Sequence, residues 1–152
     1  MKGWGLIRRV LGWARRKILS TTFLKFSIVG ASGVVVNYGI AYLGYVAGLG
    51  DLLSLAIGVE AAIISNFIWN DLWTFRHRRT LKLHLRILYF HASRLLGFFT
   101  TMVSHYLFAH ILGIPITISY ILAIGIGTLT NYFTSDLFVW PEVGPSQRPA
   151  HN

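Results

Sequence analysis

Charged residues are scarce in this chain and cysteine is absent. Only 12% of its 152 residues are charged, whereas soluble globular domains carry about 25% charged residues. Without cysteine, a disulfide or a cysteine-based metal site is excluded. The chain has five acidic residues and shows no Asp-x-Asp pair, no HExxH, no glycine-rich phosphate loop and no nucleophile elbow. The sequence therefore predicts no catalysis, no metal site and no cofactor.

Long apolar runs make up most of what is present. Hydrophobic residues account for 54% of the chain, and four runs, at about 23–47, 52–73, 87–112 and 116–139, reach the roughly 20 residues that a membrane span needs. Lipid offers no hydrogen-bond partners to the backbone, so spans of this length are expected to be helices. The sequence predicts an all-α membrane protein with four transmembrane helices.

The basic residues lie on one side of these spans. Thirteen of the fourteen Lys and Arg residues fall within 2–25, 76–86 and at Arg148, and none lies in the tips "GLGD" and "GIP". Cytoplasmic loops of membrane proteins carry an excess of Lys and Arg. Both termini and the central loop are therefore predicted to be cytoplasmic (N-in/C-in). The net charge of +9 is explained by membrane topology and attraction to anionic lipids, without a nucleic-acid partner.

Segments outside the spans are short. In residues 1–22, apolar residues recur at a spacing of three to four and arginines occupy the other side, which predicts an amphipathic helix in the headgroup plane. A solvated basic tail is the alternative. Residues 23–140 form the transmembrane domain, and the proline-rich residues 141–152 are predicted to be a disordered tail.

The second half of the chain repeats the first at a distance of 65 residues. The matching pairs are Gly48 and Gly113, Ser54 and Ser119, Asn66 and Asn131, Asp71 and Asp136, and Leu72 and Leu137. A unit of two spans returns to its starting side, so the repeats 23–75 and 88–140 are predicted to be parallel helical hairpins.

Small residues line one side of the first span at a spacing of three to four. They are Gly30, Gly33, Asn37, Ala41, Gly44 and Gly48. Such a face allows another helix backbone to approach closely. Because four helices enclose little volume for a polar headgroup, we expect a homo-oligomer, most simply a dimer.

Two charged residues fall deep within predicted spans, where charges are costly. Glu60 lies near the middle of the second span, and Arg94 lies about two turns inside the third. A structural salt bridge between them is one interpretation. In the other, the planar guanidinium of Arg94 binds an anionic substrate group such as a phosphate. At the offset of 65, Arg94 pairs with Val29 and Glu60 with Gly125, so neither charge is required by the repeat.

Other polar residues close the second and fourth spans. The candidates are Asn66, Asn70, Asp71, Asn131 and Asp136. For the asparagines, hydrogen bonds between helices and contacts to a sugar explain the pattern about equally. For the two aspartates, pairing with Arg76, Arg78 or Arg79 is the alternative to substrate binding. Three histidines in the second half are predicted to pack within or at the ends of helices.

The stretches "FLKFSIVGASGVVVNYGIAYL" and "NFIWNDLWTF" resemble the GtrA family of small four-span proteins over about residues 23–140. The resemblance assigns Asn66, Asn70 and Trp73 to the family's closing motif and Arg94 to an arginine often found in the third span. The second half departs from the motif, with Ser135 at the second asparagine and Phe138 at the tryptophan.

This resemblance implies translocation of a polyprenyl-phosphate-linked monosaccharide across the cytoplasmic membrane, for synthesis or modification of an envelope polysaccharide. Its substrate-binding residues would be the seven polar and charged candidates above. The alternative is a non-transporting membrane anchor or regulatory subunit of a polyprenyl-phosphate glycosyltransferase. An exporter of small solutes or cations is a third interpretation, with Glu60 as its only deep acidic residue.

Overall fold

The structure is a computed structural model that describes residues 3–142 of the chain. All regular secondary structure in this range is helical, which confirms the all-α class. The five α-helices are α1 (Gly3–Ile18), α2 (Thr21–Val46), α3 (Asp51–Trp69), α4 (Leu83–Tyr106) and α5 (Ile116–Thr134). Three π-helical segments continue α3, α4 and α5: π1 (Asn70–Thr74), π2 (Leu107–Ile111) and π3 (Ser135–Val139). The side chains of the first four residues and the whole of 143–152, most of the predicted tail, lie outside the described residues.

The chain divides into two compact units, Met1–Phe75 and Arg76–Asn152. We call them unit 1 and unit 2 and describe each by itself. In unit 1, α2 packs along α3, and in unit 2, α4 packs along α5. Each unit therefore contains one pair of packed helices.

Helix α1 ends before the predicted first span begins. Leu6 and Ile7 on the apolar side of α1 are exposed, as are Arg8 and Arg9, whereas Trp13 and Ile18 nearer its end are half-buried. Ser20 separates α1 from α2, and its Oγ accepts a hydrogen bond from the Phe23 backbone N–H at 3.1 Å. That cap satisfies a free amide at the start of α2. The placement of α1 at a membrane surface stays a prediction.

The small-residue face of α2 is used inside unit 1. A Cβ atom at Gly33 would lie 2.5 Å from the Asn66 side chain, and one at Gly44 would lie 3.0 Å from Ser54 Oγ. From the other side, Gly58 of α3 approaches the backbone of Asn37, where an added Cβ would come within 2.6 Å. The prediction of close helix packing is confirmed, with α3 as the partner. This face consequently gives no support to the predicted dimer.

In unit 2, polar side chains reach glycines in the same way. Asn131 of α5 contacts Gly97 of α4, and Thr101 of α4 contacts Gly127 of α5. Phe90 packs edge-on against Trp140, with ring centroids 5.6 Å apart. In unit 1, Phe26 packs edge-on against Phe75 at 6.4 Å.

The two units match closely in their second helices. The bounds of α3 and α5 differ by 65 residues at both ends, as do those of π1 and π3. The glycines of the turns also match, since Gly48 and Gly113 both have positive φ, +85° and +66°. These matches support the predicted duplication.

The first helices match at 64 residues instead of 65. Phe26 corresponds to Phe90, because each packs edge-on against the aromatic residue that follows the π-helical segment. Gly33 corresponds to Gly97, because each contacts the asparagine of the partner helix. The extra residue lies in π2, where the Leu112 N–H bonds to the Leu107 carbonyl five residues earlier, at 3.0 Å. A π turn accommodates one more residue than an α turn. The pairing of Arg94 with Val29 was therefore wrong: Arg94 corresponds to Gly30, and Ser93 corresponds to Val29.

Between residues 3 and 142, three helical segments are long and apolar enough to cross a membrane: Thr21–Val46, Asp51–Thr74 and Ile116–Val139. Helix α4 carries Arg86, Arg94 and several hydroxyl side chains, which make it more polar than the other three. The fourth span, the parallel arrangement of the repeats and the cytoplasmic location of both termini stay predictions.

Candidate functional site

Arg94 lies in a polar cluster of unit 2. Its Nη2 donates a hydrogen bond to Ser135 Oγ at 3.0 Å and approaches the Asn131 carbonyl oxygen at 3.4 Å. The guanidinium carbon lies 4.3 Å from the centroid of the Phe90 ring. One side of the guanidinium is thus held by α5 and π3, while an aromatic ring of its own helix supports it.

A chain of hydroxyl groups lies beside the arginine. Ser93 Oγ is 2.6 Å from Thr134 Oγ1 and 3.4 Å from Ser135 Oγ. Both hydroxyls also have backbone acceptors, since Thr134 donates to the Thr130 carbonyl at 2.7 Å and Ser93 to the Asn131 carbonyl at 3.3 Å. The two serines and the threonine bring three hydroxyl groups to the α4–α5 contact within unit 2.

Ser93 and Thr134 open onto a cleft of about 390 Å³. The other lining residues are Tyr89, Ala92, Leu96 and Phe138. Hydroxyl groups therefore occupy one part of the wall and apolar or aromatic groups the rest. Arg94 is connected to this wall through Ser135, which accepts a hydrogen bond from the guanidinium and whose Oγ lies 3.4 Å from Ser93 Oγ. A ligand with a long apolar chain and a small polar group suits such a lining.

Asp136 is held by the basic loop. The Arg78 Nη1 lies 2.6 Å from Asp136 Oδ1, and the carboxylate is almost fully buried, with a side-chain exposure of 1%. Arg78 Nη2 also contacts Glu142, at 3.2 Å. Of the two interpretations of Asp136, the structure shows the ion pair with a neighbouring arginine.

The polar residues that end the second span are buried in unit 1. Asn70 donates from Nδ2 to the Asn66 carbonyl at 2.8 Å, and both Asn70 and Asp71 are buried. The Asn66 side chain packs against Gly33. Among residues 3–142, no donor lies within hydrogen-bond distance of the buried Oδ1 atoms of Asn66, Asn70 and Asn131. The asparagines thus serve close helix packing, and their contacts to a sugar stay a prediction.

A second cleft, of about 570 Å³, lies in unit 1. Its lining residues are Ile28, Val29, Ser32, Trp69, Leu72 and Trp73. By the offsets of 64 and 65, five of these positions match Ala92, Ser93, Leu96, Thr134 and Phe138, all of which line the cleft of unit 2. The two units therefore carry the same cleft with different side chains.

Glu60 is exposed on α3 of unit 1, while Arg94 belongs to α4 of unit 2. Their pairing stays a prediction. The histidines make packing contacts, since His105 lies 2.8 Å from Ser119 Oγ and edge-on to Tyr120. Within the described part of the chain, no group of three His, Cys, Asp or Glu side chains is placed to hold a metal ion.

Sequence reasoning missed Ser93, Thr134 and Ser135 as members of the arginine cluster. Hydroxyl residues are common in membrane helices, so their type alone carries little information. The repeat does indicate them. Three and four residues after the asparagine that both halves share, the first half has Trp69 and Asn70 and the second half has Thr134 and Ser135.

A family described as "GtrA/DPMS, transmembrane domain" matches residues 25–140, which include both clefts and the arginine cluster. The chain belongs to this family. The GtrA/DPMS domain thus covers α2 to π3, and the protein is a membrane protein with a transmembrane domain. The resemblance predicted from "NFIWNDLWTF" is confirmed.

One relative of this GtrA/DPMS chain is a dolichol-phosphate mannosyltransferase of Pyrococcus furiosus. The two are 36% identical over 103 residues, which is 62% of this chain and 29% of the relative. The chain therefore spans less than a third of that protein's length.

Proposed function

We propose that this chain carries a polyprenyl-phosphate-linked monosaccharide across the cytoplasmic membrane and that unit 2 receives the phosphate near Arg94. The observation that carries the proposal is the guanidinium of Arg94 on a cluster of hydroxyl groups beside a largely apolar cleft. Arginine binds phosphate through two parallel N–H donors. Charged side chains within membrane helices commonly mark the path of an ionic substrate.

The hydroxyl groups complete the phosphate site. Ser135 accepts a hydrogen bond from Arg94, and the Ser93 and Thr134 hydroxyls lie 2.6 Å apart. When a phosphate oxygen arrives, the serine hydroxyls can rotate to donate to it while the guanidinium turns its fork toward the anion. Tyr89, Leu96 and Phe138 of the cleft wall contact the first isoprene groups, and the remaining tail stays in the bilayer.

The rest of the architecture belongs to the same proposal. All four long helices span the membrane, the two units are parallel repeats, and both termini face the cytoplasm. Within unit 2, Asn131 is the candidate closest to the arginine cluster, because its carbonyl oxygen lies 3.4 Å from Arg94 Nη2. The other substrate-binding candidates, Glu60, Asn66, Asn70, Asp71 and Asp136, stay predictions for contacts to the sugar. Two copies of the chain assemble to enclose the headgroup.

The test is translocation of the lipid-linked sugar in reconstituted vesicles. Arg94→Ala should abolish exposure of the sugar to an outside reagent while the protein remains folded. Arg94→Lys should recover only part of the activity, because a point charge replaces a two-pronged donor. Translocation by Arg94→Ala at the wild-type rate would remove the site from the proposal.

A double variant separates a substrate site from a salt bridge. If Arg94 and Glu60 were a structural pair, Arg94→Ala would leave a carboxylate without its partner and lower the melting temperature. Glu60→Ala/Arg94→Ala would then regain both stability and translocation. We expect instead that the double variant is as inactive as Arg94→Ala, and a fully active double variant would assign the pair to the scaffold.

The second candidate function is membrane anchoring of a polyprenyl-phosphate glycosyltransferase. The relative named a dolichol-phosphate mannosyltransferase favours it, because the matched segment is 29% of that protein. The basic segment 76–86 would then recruit a separate enzyme. Anchoring predicts that Arg94→Ala still retains such an enzyme on membranes, whereas replacing Arg76, Arg79 and Lys82 by glutamine releases it.

A further inference from the structure

The cleft of unit 1 has lost the hydroxyl groups of its counterpart. Trp69 stands where unit 2 has Thr134, and Trp73 stands where unit 2 has Phe138. Ser32 lines the cleft, but its hydroxyl donates to the Val29 carbonyl of its own helix at 2.8 Å. None of the lining side chains is an amide or a carboxylate. The cleft therefore offers apolar and aromatic walls with no side-chain amide or carboxylate to recognise a hydroxylated headgroup.

A lysine lies next to this cleft. Lys25 Nζ is 5.3 Å from the centroid of the Trp73 ring, and Lys25 occupies the position of Tyr89, which lines the cleft of unit 2. Within residues 3–142, no salt bridge joins Lys25 to a carboxylate. The ammonium thus stands beside an aromatic wall with its charge available to an anion from outside unit 1.

We infer that the cleft of unit 1 binds an anionic diacyl phospholipid of the surrounding bilayer. Lys25 holds the phosphodiester, and an acyl chain lies against Ile28, Trp69 and Leu72. A phosphodiester carries one negative charge, which one compact ammonium can neutralise. Basic positions at the cytoplasmic ends of membrane helices recognise such headgroups, and Lys25 lies one turn after the start of α2, directly beyond the basic helix α1.

Bulk phospholipid is favoured as the occupant over a scarce carrier lipid by its concentration. A cleft open to the bilayer samples the most abundant anionic amphiphile first, because occupancy rises with ligand concentration. The site in unit 2 differs in having a guanidinium and three hydroxyl groups. This inference about unit 1 holds whether or not unit 2 transports a sugar.

The test is lipid retention measured by native mass spectrometry in mild detergent. Phosphatidylglycerol and phosphatidylcholine with the same acyl chains are titrated onto Arg94→Ala protein, so that the guanidinium of unit 2 does not contribute to a preference for the anionic lipid. We expect the first phosphatidylglycerol to bind about tenfold more tightly than phosphatidylcholine, because the quaternary ammonium of phosphatidylcholine offsets the charge of its phosphodiester and is repelled by Lys25. Lys25→Gln should remove this preference, and Lys25→Arg should keep it.

Lys17 provides a matched control. Its Nζ lies 5.9 Å from the Trp13 ring, outside the cleft, so Lys17→Gln removes the same charge from a similar lysine and tryptophan pair. The preference for phosphatidylglycerol should survive in Lys17→Gln. An equal loss in both variants would show diffuse attraction to a basic protein and overturn the inference.

A second variant tests the cleft without changing charge. Ser32→Leu places the residue of the matching position, Leu96, into the cleft of unit 1 and should weaken the binding of both phospholipids severalfold. Unchanged binding by Ser32→Leu would place the lipid elsewhere. Displacement of phosphatidylglycerol by an equimolar isoprenyl phosphate would assign the cleft to a carrier lipid and also contradict the inference.

Discussion

The Arg78 guanidinium reaches across unit 2 to Asp136, with Nη1 2.6 Å from Oδ1 of a carboxylate that is 1% exposed. This ion pair holds the basic loop against π3 at Asp136, the residue that follows Ser135 of the arginine cluster. Removal of Arg78 would leave a buried carboxylate without this partner, and such a change is costly. The loop and the cluster are therefore connected by a buried charge.

Arg78→Ala should lower the free energy of unfolding by about 1–3 kcal/mol, the penalty for an unsatisfied buried group. The measurement is a thermal or denaturant melt in detergent. Glu142→Gln is the control, because Glu142 contacts the same arginine at 3.2 Å but is 62% exposed, and surface pairs contribute only about 0–1 kcal/mol. Equal effects of the two changes would contradict a structural role for Asp136.

The close contact between Gly97 and Asn131 predicts sensitivity to one added methyl group. Gly97→Ala should destabilise the protein by about 1–3 kcal/mol through overpacking, measured as a lower melting temperature. Gly125→Ala is the matched control on the partner helix α5, since a Cβ there would meet nothing within 4 Å. It should be neutral or slightly stabilising, because alanine is the better helix former. A Gly97→Ala protein as stable as Gly125→Ala would contradict the observed packing.

The hydroxyl cluster predicts a graded loss of transport. Ser135→Ala removes the acceptor of Arg94 at 3.0 Å, and Ser93→Ala removes a hydroxyl that lines the cleft. Each should lower the translocation rate about threefold to tenfold, the range for loss of one hydrogen bond of about 1 kcal/mol. Leu96 lines the same cleft, and Leu96→Ala removes no hydrogen-bonding group. A similar loss of transport in that variant would indicate damage to the cleft wall instead of a lost phosphate contact.

The predicted topology can be tested with single cysteines, because the native chain contains none. Leu49→Cys and Ile114→Cys lie in the turns after α2 and π2 and should react with an impermeant thiol reagent added outside. Thr80→Cys, in the loop between π1 and α4, should react only after the membrane is opened. Labelling of Thr80→Cys in sealed cells would contradict the cytoplasmic assignment of the basic loop.

Much of the fold could be predicted because each piece rests on a local pattern. The matched asparagines, aspartates and glycines predict that the second helices of the two halves correspond at an offset of 65 residues, and the bounds of α3 and α5 differ by 65 residues at both ends. The first helices carry fewer polar matches, and Arg94 was consequently paired one residue out of register. The π turn that accommodates the added residue requires no particular residue type, so neither the composition nor the hydrophobic periodicity indicates it.

The hydrogen-bond and ion-pair partners within the site could not be predicted from the sequence. Three arginines were candidates for Asp136, and the choice of Arg78 depends on the path of a short loop. The contact of Ser93 with Thr134 depends on the rotation of α4 against α5, which follows from the close approach at Gly97. Such pairings depend on packing within the whole unit, whereas the elements themselves depend on neighbouring residues.

The wide turn at Leu107–Ile111 also bears on how two similar helix pairs can differ in length and charge. Because the additional residue is absorbed after α4, Phe90 packs on Trp140 and Gly97 on Asn131 as their counterparts do in unit 1. The added residue and the charge of Arg94 are therefore independent differences between the two units. Arg94 thus occupies the position of Gly30 while the residues around it keep the packing register of unit 1.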